Sequence, residues 1–152
     1  MDEYIERITT NGRNIDYKRP HSPVECKTTE EDRRLLRKIN LFDSKYQPSN
    51  FSKPDGTPLP LAIAENLRID LSKRTKEPMS FWHRNNDADE VIICIEGSLI
   101  WETEMGTVEL DRGEMLLIPR GIAHRSLPGT EAETNVAIEL KIKGKLEWTS
   151  EA

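Results

Sequence analysis

The 152-residue sequence predicts an all-β domain of the sandwich or barrel type, and three observations lead there. The texture of the chain changes near residue 60, from a polar, proline-interrupted stretch to a series of short apolar runs. Within that series Leu67-Arg-Ile-Asp-Leu71 alternates apolar and polar residues, as a half-buried strand does. Turn signals built on Gly, Pro and Asp then separate the runs at regular spacing.

The elements follow in order. Residues 1–60 read as an N-terminal arm: 1–30 are polar, and Pro20 and Pro23 interrupt any regular element. A short helix is expected over 28–41. Thr28 or Thr29 caps it, acidic residues fill its first turn, and Leu35, Leu36, Ile39 and Phe42 make one modest apolar stripe. Residues 43–60 carry Pro48, Pro54, Pro58, Pro60 and Asp55-Gly56, and read as loop. A barrel is expected over 61–145. Its strands after 67–71 are 79–85, 91–95, 99–103, 107–110, 115–118, 124–127 and 135–142, with 146–152 left as a tail.

Composition narrows the function classes. A chain of 17.5 kDa is one domain by size and long enough for a core. Hydrophobic residues make up 36%, charged residues 32%, and the mean hydropathy is -0.67, which fits a compact core carrying exposed arms. The net charge of -5 and pI near 5.3 argue against a nucleic-acid partner. No apolar stretch reaches the length of a membrane span and the first residues do not resemble a signal peptide, so a cytoplasmic protein is expected. Cys26 and Cys94 suggest neither a disulfide framework nor a thiolate metal site.

The residues that carry chemistry are His83, Glu90 and His124. Alternation on a strand turns His83 and Asn85 to one face, the turn at 86–89 returns Glu90 beside them, and Pro119-Arg-Gly121 brings in His124. Two neutral imidazoles and one carboxylate can hold a divalent metal and leave one side open; this donor set suits Fe(II), with Mn, Ni or Zn as alternatives. Asn85 adds a weak ligand or a hydrogen bond from the outer shell.

The spans His83-Arg-Asn85…Glu90…Gly97 and Gly113…Pro119-Arg-Gly121…His124 resemble the two signature motifs of the cupin superfamily, over roughly residues 60–142. The resemblance implies a jelly-roll β-barrel with a metal inside. Three positions depart from the pattern: Asn85 stands for the usual second His, Glu77 for the opening Gly and Pro128 for the closing Asn. The set His83, Asn85, Glu90 and His124 is also similar to the centres of homogentisate and 3-hydroxyanthranilate dioxygenases, although the His-to-Glu gap is one residue longer here. That similarity implies an Fe(II) dioxygenase acting on a small aromatic or carboxylate-bearing molecule, with His83, Glu90 and His124 as its catalytic metal ligands.

Phe81 and Trp101 are candidates to line the pocket, and Arg120 and Arg125 to hold a substrate carboxylate. Two other functions stay open: a non-redox lyase, isomerase or epimerase with the metal as Lewis acid, and a non-catalytic small-molecule-binding module. A homodimer is expected, because a small barrel with open sheet edges gains from pairing.

Overall fold

The computed structural model describes residues 4–20, 36–129 and 133–149. Contacts divide the chain into two units, Met1–Ile39 and Asn40–Ala152. The first unit holds a β-hairpin, β1 (Tyr4–Thr10) and β2 (Arg13–Arg19), paired from Thr10↔Arg13 to Tyr4↔Arg19. Asn11 and Gly12 both have positive φ, 48° and 72°. Asn-Gly tolerates that left-handed backbone, which matches the twist of the flanking strands. Cross-strand ion pairs Arg7–Asp16 and Arg19–Glu6 support the register. The irregular arm expected over 1–30 is therefore a hairpin across 4–19.

The expected helix over 28–41 lies mostly outside the described residues, as does Cys26. Its described end, 36–41, is not helical. Instead Asn40 starts a turn: its side chain accepts the Phe42 N–H at 3.1 Å and its carbonyl accepts the Asp43 N–H at 3.0 Å.

The second unit contains β3 (Leu59–Ile63), β4 (Leu67–Arg74), β5 (Asp89–Glu96), β6 (Ser98–Thr103), β7 (Gly106–Asp111), β8 (Met115–Ile118), β9 (His124–Pro128) and β10 (Asn135–Ile142). They form two antiparallel sheets, ordered β3-β4-β10-β5-β8 and β7-β6-β9. One buried cluster joins them: Ile92, Cys94, Ile118 and Ala137 from the larger sheet meet Leu99, Trp101 and Leu110 from the smaller. Two facing sheets with a shared core are the all-β jelly-roll arrangement expected. Among the described residues no helix is long and apolar enough to cross a membrane.

Residues 40–58, assigned to the arm on sequence, belong to this unit. Buried Asn50 donates to Ser72 Oγ at 2.7 Å and accepts the Lys73 N–H, while Lys73 Nζ reaches the Asp43 carbonyl. The strand expected over 79–85 is not formed. Its backbone hydrogen-bonds to β9 at two separate points, Met79 N–H to Ser126 O and the reciprocal His83–His124 pair. Between them Ser80 is drawn away by Asp55, which accepts from its N–H at 3.0 Å and its hydroxyl at 2.7 Å.

The inner face of the larger sheet is unusual. Cross-strand partners share a face, so Arg74↔Asn135, Asp70↔Glu139↔Ile92 and Lys141↔Glu90 all lie with the core residue Ile92. At this end the inward row is polar: Asp70, Ser72, Arg74, Glu90 and Glu139 are all buried. The alternation Leu67–Leu71, which reads as apolar-in and polar-out, runs the other way, and Leu71 is buried as fully as Asp70.

Candidate metal centre

His83 is positioned by backbone. Its N–H donates to the His124 carbonyl at 3.0 Å and its carbonyl accepts the His124 N–H at 2.8 Å, which sets the two rings edge to face with centroids 4.3 Å apart. Glu90 enters at the start of β5, opposite Ile118. Between β8 and β9 the chain turns through Gly121, whose φ of 83° favours glycine, and the Gly121 N–H clasps the Asn85 carbonyl at 2.6 Å. The turn that delivers His124 is thus fastened to the segment that carries His83. One donor atom from each of His83, Glu90 and His124 lies within 4.8 Å of the others.

The donor chemistry fits a cation. His124 Nδ1 lies 2.8 Å from the Ile122 carbonyl, an acceptor, so Nδ1 carries the proton and Nε2 presents its lone pair. That Nε2 is buried, 3.0 Å from Glu90 Oε2, yet the contact lacks hydrogen-bond direction. Two lone pairs face each other there, and either a proton or a metal ion must stand between them. Burial alone lowers the His124 pKa, but Glu90 more than offsets it and the net shift is upward, so a proton and a metal compete for this space. For Glu90, burial works upward, and His124, Lys141 and His83 together outweigh it and keep the carboxylate below its ordinary range. Burial, then the charge of His124, lowers His83 and favours the neutral imidazole, whose buried Nδ1 has no partner among the described residues. Asn85 Nδ2 donates to Glu90 Oε2 at 2.8 Å, so the amide steadies the carboxylate instead of offering an oxygen.

No family model matches the chain. A protein of Saccharolobus solfataricus, provisionally named a dioxygenase, is 31% identical over 64 residues, which span 42% of this chain and 17% of that protein. Among solved structures, a Bacteroides fragilis cupin protein is 15% identical with a TM-score of 0.51, covering 62% of this chain and 83% of its own. The chain has the cupin fold. A Ralstonia eutropha protein provisionally described as a mannose-6-phosphate isomerase agrees in fold, with 23% identity, a TM-score of 0.55 and coverage of 72% and 100%.

A cavity of about 210 Å³ opens into the cupin barrel beside His83 and Glu90, two of the three donors. Its lining includes His83, Glu90, Phe81, Trp101, Arg74 and Glu139. Phe81 stands at 5.8 Å from the His83 ring and is 44% exposed, at the rim, while Trp101 is buried 5.9 Å from the His124 ring. Phe81 and Trp101 thus both line the cavity.

The two predicted arginines are not among the residues lining it. Arg120 binds Asp89 at 3.2 Å and the carbonyls of Ile142, Lys143 and Gly144, tying the β8–β9 turn to the end of β10. Arg125 pairs with Glu102 at 2.6 Å and covers the Trp82 ring at 5.3 Å. Arg74 and Glu139 line the cavity and were not foreseen. Their only signal in sequence is a charged residue recurring on one parity of a strand, the usual mark of a solvated face. Burial, then the charge of Glu90, pushes the Glu139 carboxyl up to about 8.

Proposed function

We propose that this cupin is a metal-dependent enzyme, an Fe(II) dioxygenase of a small aromatic or carboxylate-bearing substrate, with His83, Glu90 and His124 as metal ligands. The observation that carries the reading is the convergence of His83, Glu90 and His124, whose donor atoms lie within 4.8 Å of one another, with His124 Nε2 and Glu90 Oε2 buried 3.0 Å apart. The dioxygenase name of the partly matching Saccharolobus solfataricus protein supports it. A bound Fe(II) would supply the one-electron chemistry needed to combine an organic substrate with O2. The protein's part is orientation and exclusion. The Ile122 carbonyl aligns His124, Asn85 steadies Glu90, and the buried walls of the cavity keep bulk water from the donors. Protein reconstituted anaerobically with Fe(II) should consume O2 with catechols, gentisates or aminophenols, and the His124→Ala variant should lose both iron and activity. Iron retained by that variant, or no O2 uptake across the panel, refutes the proposal.

One observation favours a second reading, a non-redox lyase or isomerase. Glu139 is a buried carboxyl in the same cavity with its pKa near neutrality, as a general acid or base requires. Turnover with Zn(II) or Ni(II) in the absence of O2 would select it. A homodimer belongs to the proposal as well, since β3, β7 and β8 end their sheets as open edges; a monomer by light scattering refutes that part.

A further inference from the structure

Two buried side chains that line the cavity, Trp101 and Arg74, keep donor capacity that no hydrogen bond among the described residues uses. Trp101 Nε1–H is buried, and among the described residues it has no hydrogen-bond partner. Arg74, 2% exposed, gives one N–H to Ser126 Oγ and one to the Glu77 carbonyl at 3.0 Å, out of the five that a guanidinium carries. No carboxylate among the described residues lies within ion-pair distance of it. Asp55 acts on it from farther away and is committed to Ser80; Glu139 also acts only at longer range. Trp101 and Ser126 are direct partners across the β6–β9 ladder. The indole and the guanidinium anchored on Ser126 therefore stand at the same level of one sheet. Leaving such donor capacity unsatisfied in a buried site is costly, most of all for a charge, and a bound acceptor removes that cost.

We infer that Arg74 and Trp101 form a carboxylate-binding subsite, which holds the acid end of a small organic acid while its other end reaches the His83–Glu90–His124 centre. Only that second anchoring point rests on the proposed metal function. The 5.9 Å between the Trp101 and His124 rings and the cavity volume of about 210 Å³ restrict the ligand to a single ring or a short chain. The Glu90 carboxylate on the same wall disfavours a phosphate dianion and leaves the singly charged carboxylate.

The test uses the indole N–H resonances of the ¹⁵N-labelled full chain, whose three tryptophans make the Trp101 signal assignable with Trp101→Phe. Acetate, propanoate and benzoate are titrated against their neutral amides at constant ionic strength, into metal-free and Zn(II)-loaded protein. At least one acid should shift the Trp101 signal saturably while its amide does not. Arg74→Met should weaken that acid at least ~10-fold, and Arg74→Lys, which keeps the charge without the fork, should weaken it less. If no acid moves the Trp101 signal, or a folded Arg74 variant binds the acid like the parent, the subsite is refuted. Should Arg74→Met fail to fold, Arg74→Lys decides the question by the same criterion. Acid binding by a protein that retains no metal would sink the metal centre alone, and metal retention without acid binding would sink the subsite alone.

Discussion

Replacing Glu139 by Gln should make the metal-free protein more stable in mild alkali. The carboxyl is buried among Glu90, Asp70, Lys141 and Arg74, and burial, with Glu90 next in weight, raises its pKa from 4.5 to about 8. A folded pKa above the unfolded one means that folding favours the protonated form. That contribution is whole below about pH 4.5 and is lost as pH rises through about 8. The gap of about 3.5 pH units, at about 1.4 kcal/mol each, corresponds to about 5 kcal/mol, a large part of an ordinary domain's stability. Glutamine copies the neutral acid and removes the slope. Urea unfolding of chelator-treated protein at intervals from pH 5 to 9 measures it. The two proteins should be close at pH 5 and diverge by several kcal/mol at pH 9, with the variant the more stable. Parallel curves across the range would refute the account of Glu139 as a carboxyl held neutral by its surroundings.

Further outcomes follow from the same geometry. Asn85→Ala removes the donor on Glu90 and should cut metal affinity ~10–100-fold in a chelator competition. Because His124 sits above its usual pKa when no metal is bound, metal affinity should begin to fall on acidification before the ordinary imidazole range is reached, by about tenfold per pH unit for each proton taken up; an affinity flat from pH 7.5 to 5.5 would contradict this. Gly97→Ala asks an L-residue to adopt a φ of 74° and drives a Cβ into the Asn135 amide, so thermal unfolding should show a loss of at least about 1–3 kcal/mol. Arg120→Gln should leave metal content and any substrate KM unchanged while lowering Tm, since its contacts are to Asp89 and to carbonyls past β10.

Much of the cupin barrel was legible because strands and turns are local. The Gly-marked turns bound β5 to β9 closely, and the motif spacing picked out the three donors that the fold brings together. The misses share a cause. Met79–Asn85 has the makings of a strand, but Asp55, 25 residues earlier, takes Ser80 out of line. Arg120 and Arg125 drew attention by lying near His124, whereas the arginine in the cavity is held by Ser126, 52 residues away. Such pairings exist only after the sheets close, and no window of sequence contains them. The hairpin 4–19 is a different case. Its signal, Asn11-Gly12 between alternating residues, is local and was available to be read.

The polar inward row of β4 and β10 has an evolutionary consequence. On each strand one parity builds the cavity wall, with Ser72, Arg74, Glu139 and Lys141, while the other, with Leu71 and Val136, is buried on the opposite face. Substitutions on the first parity can therefore change what the barrel accommodates while leaving the apolar anchors untouched. Drift in specificity and drift in stability would then be recorded at alternate positions of the same two strands.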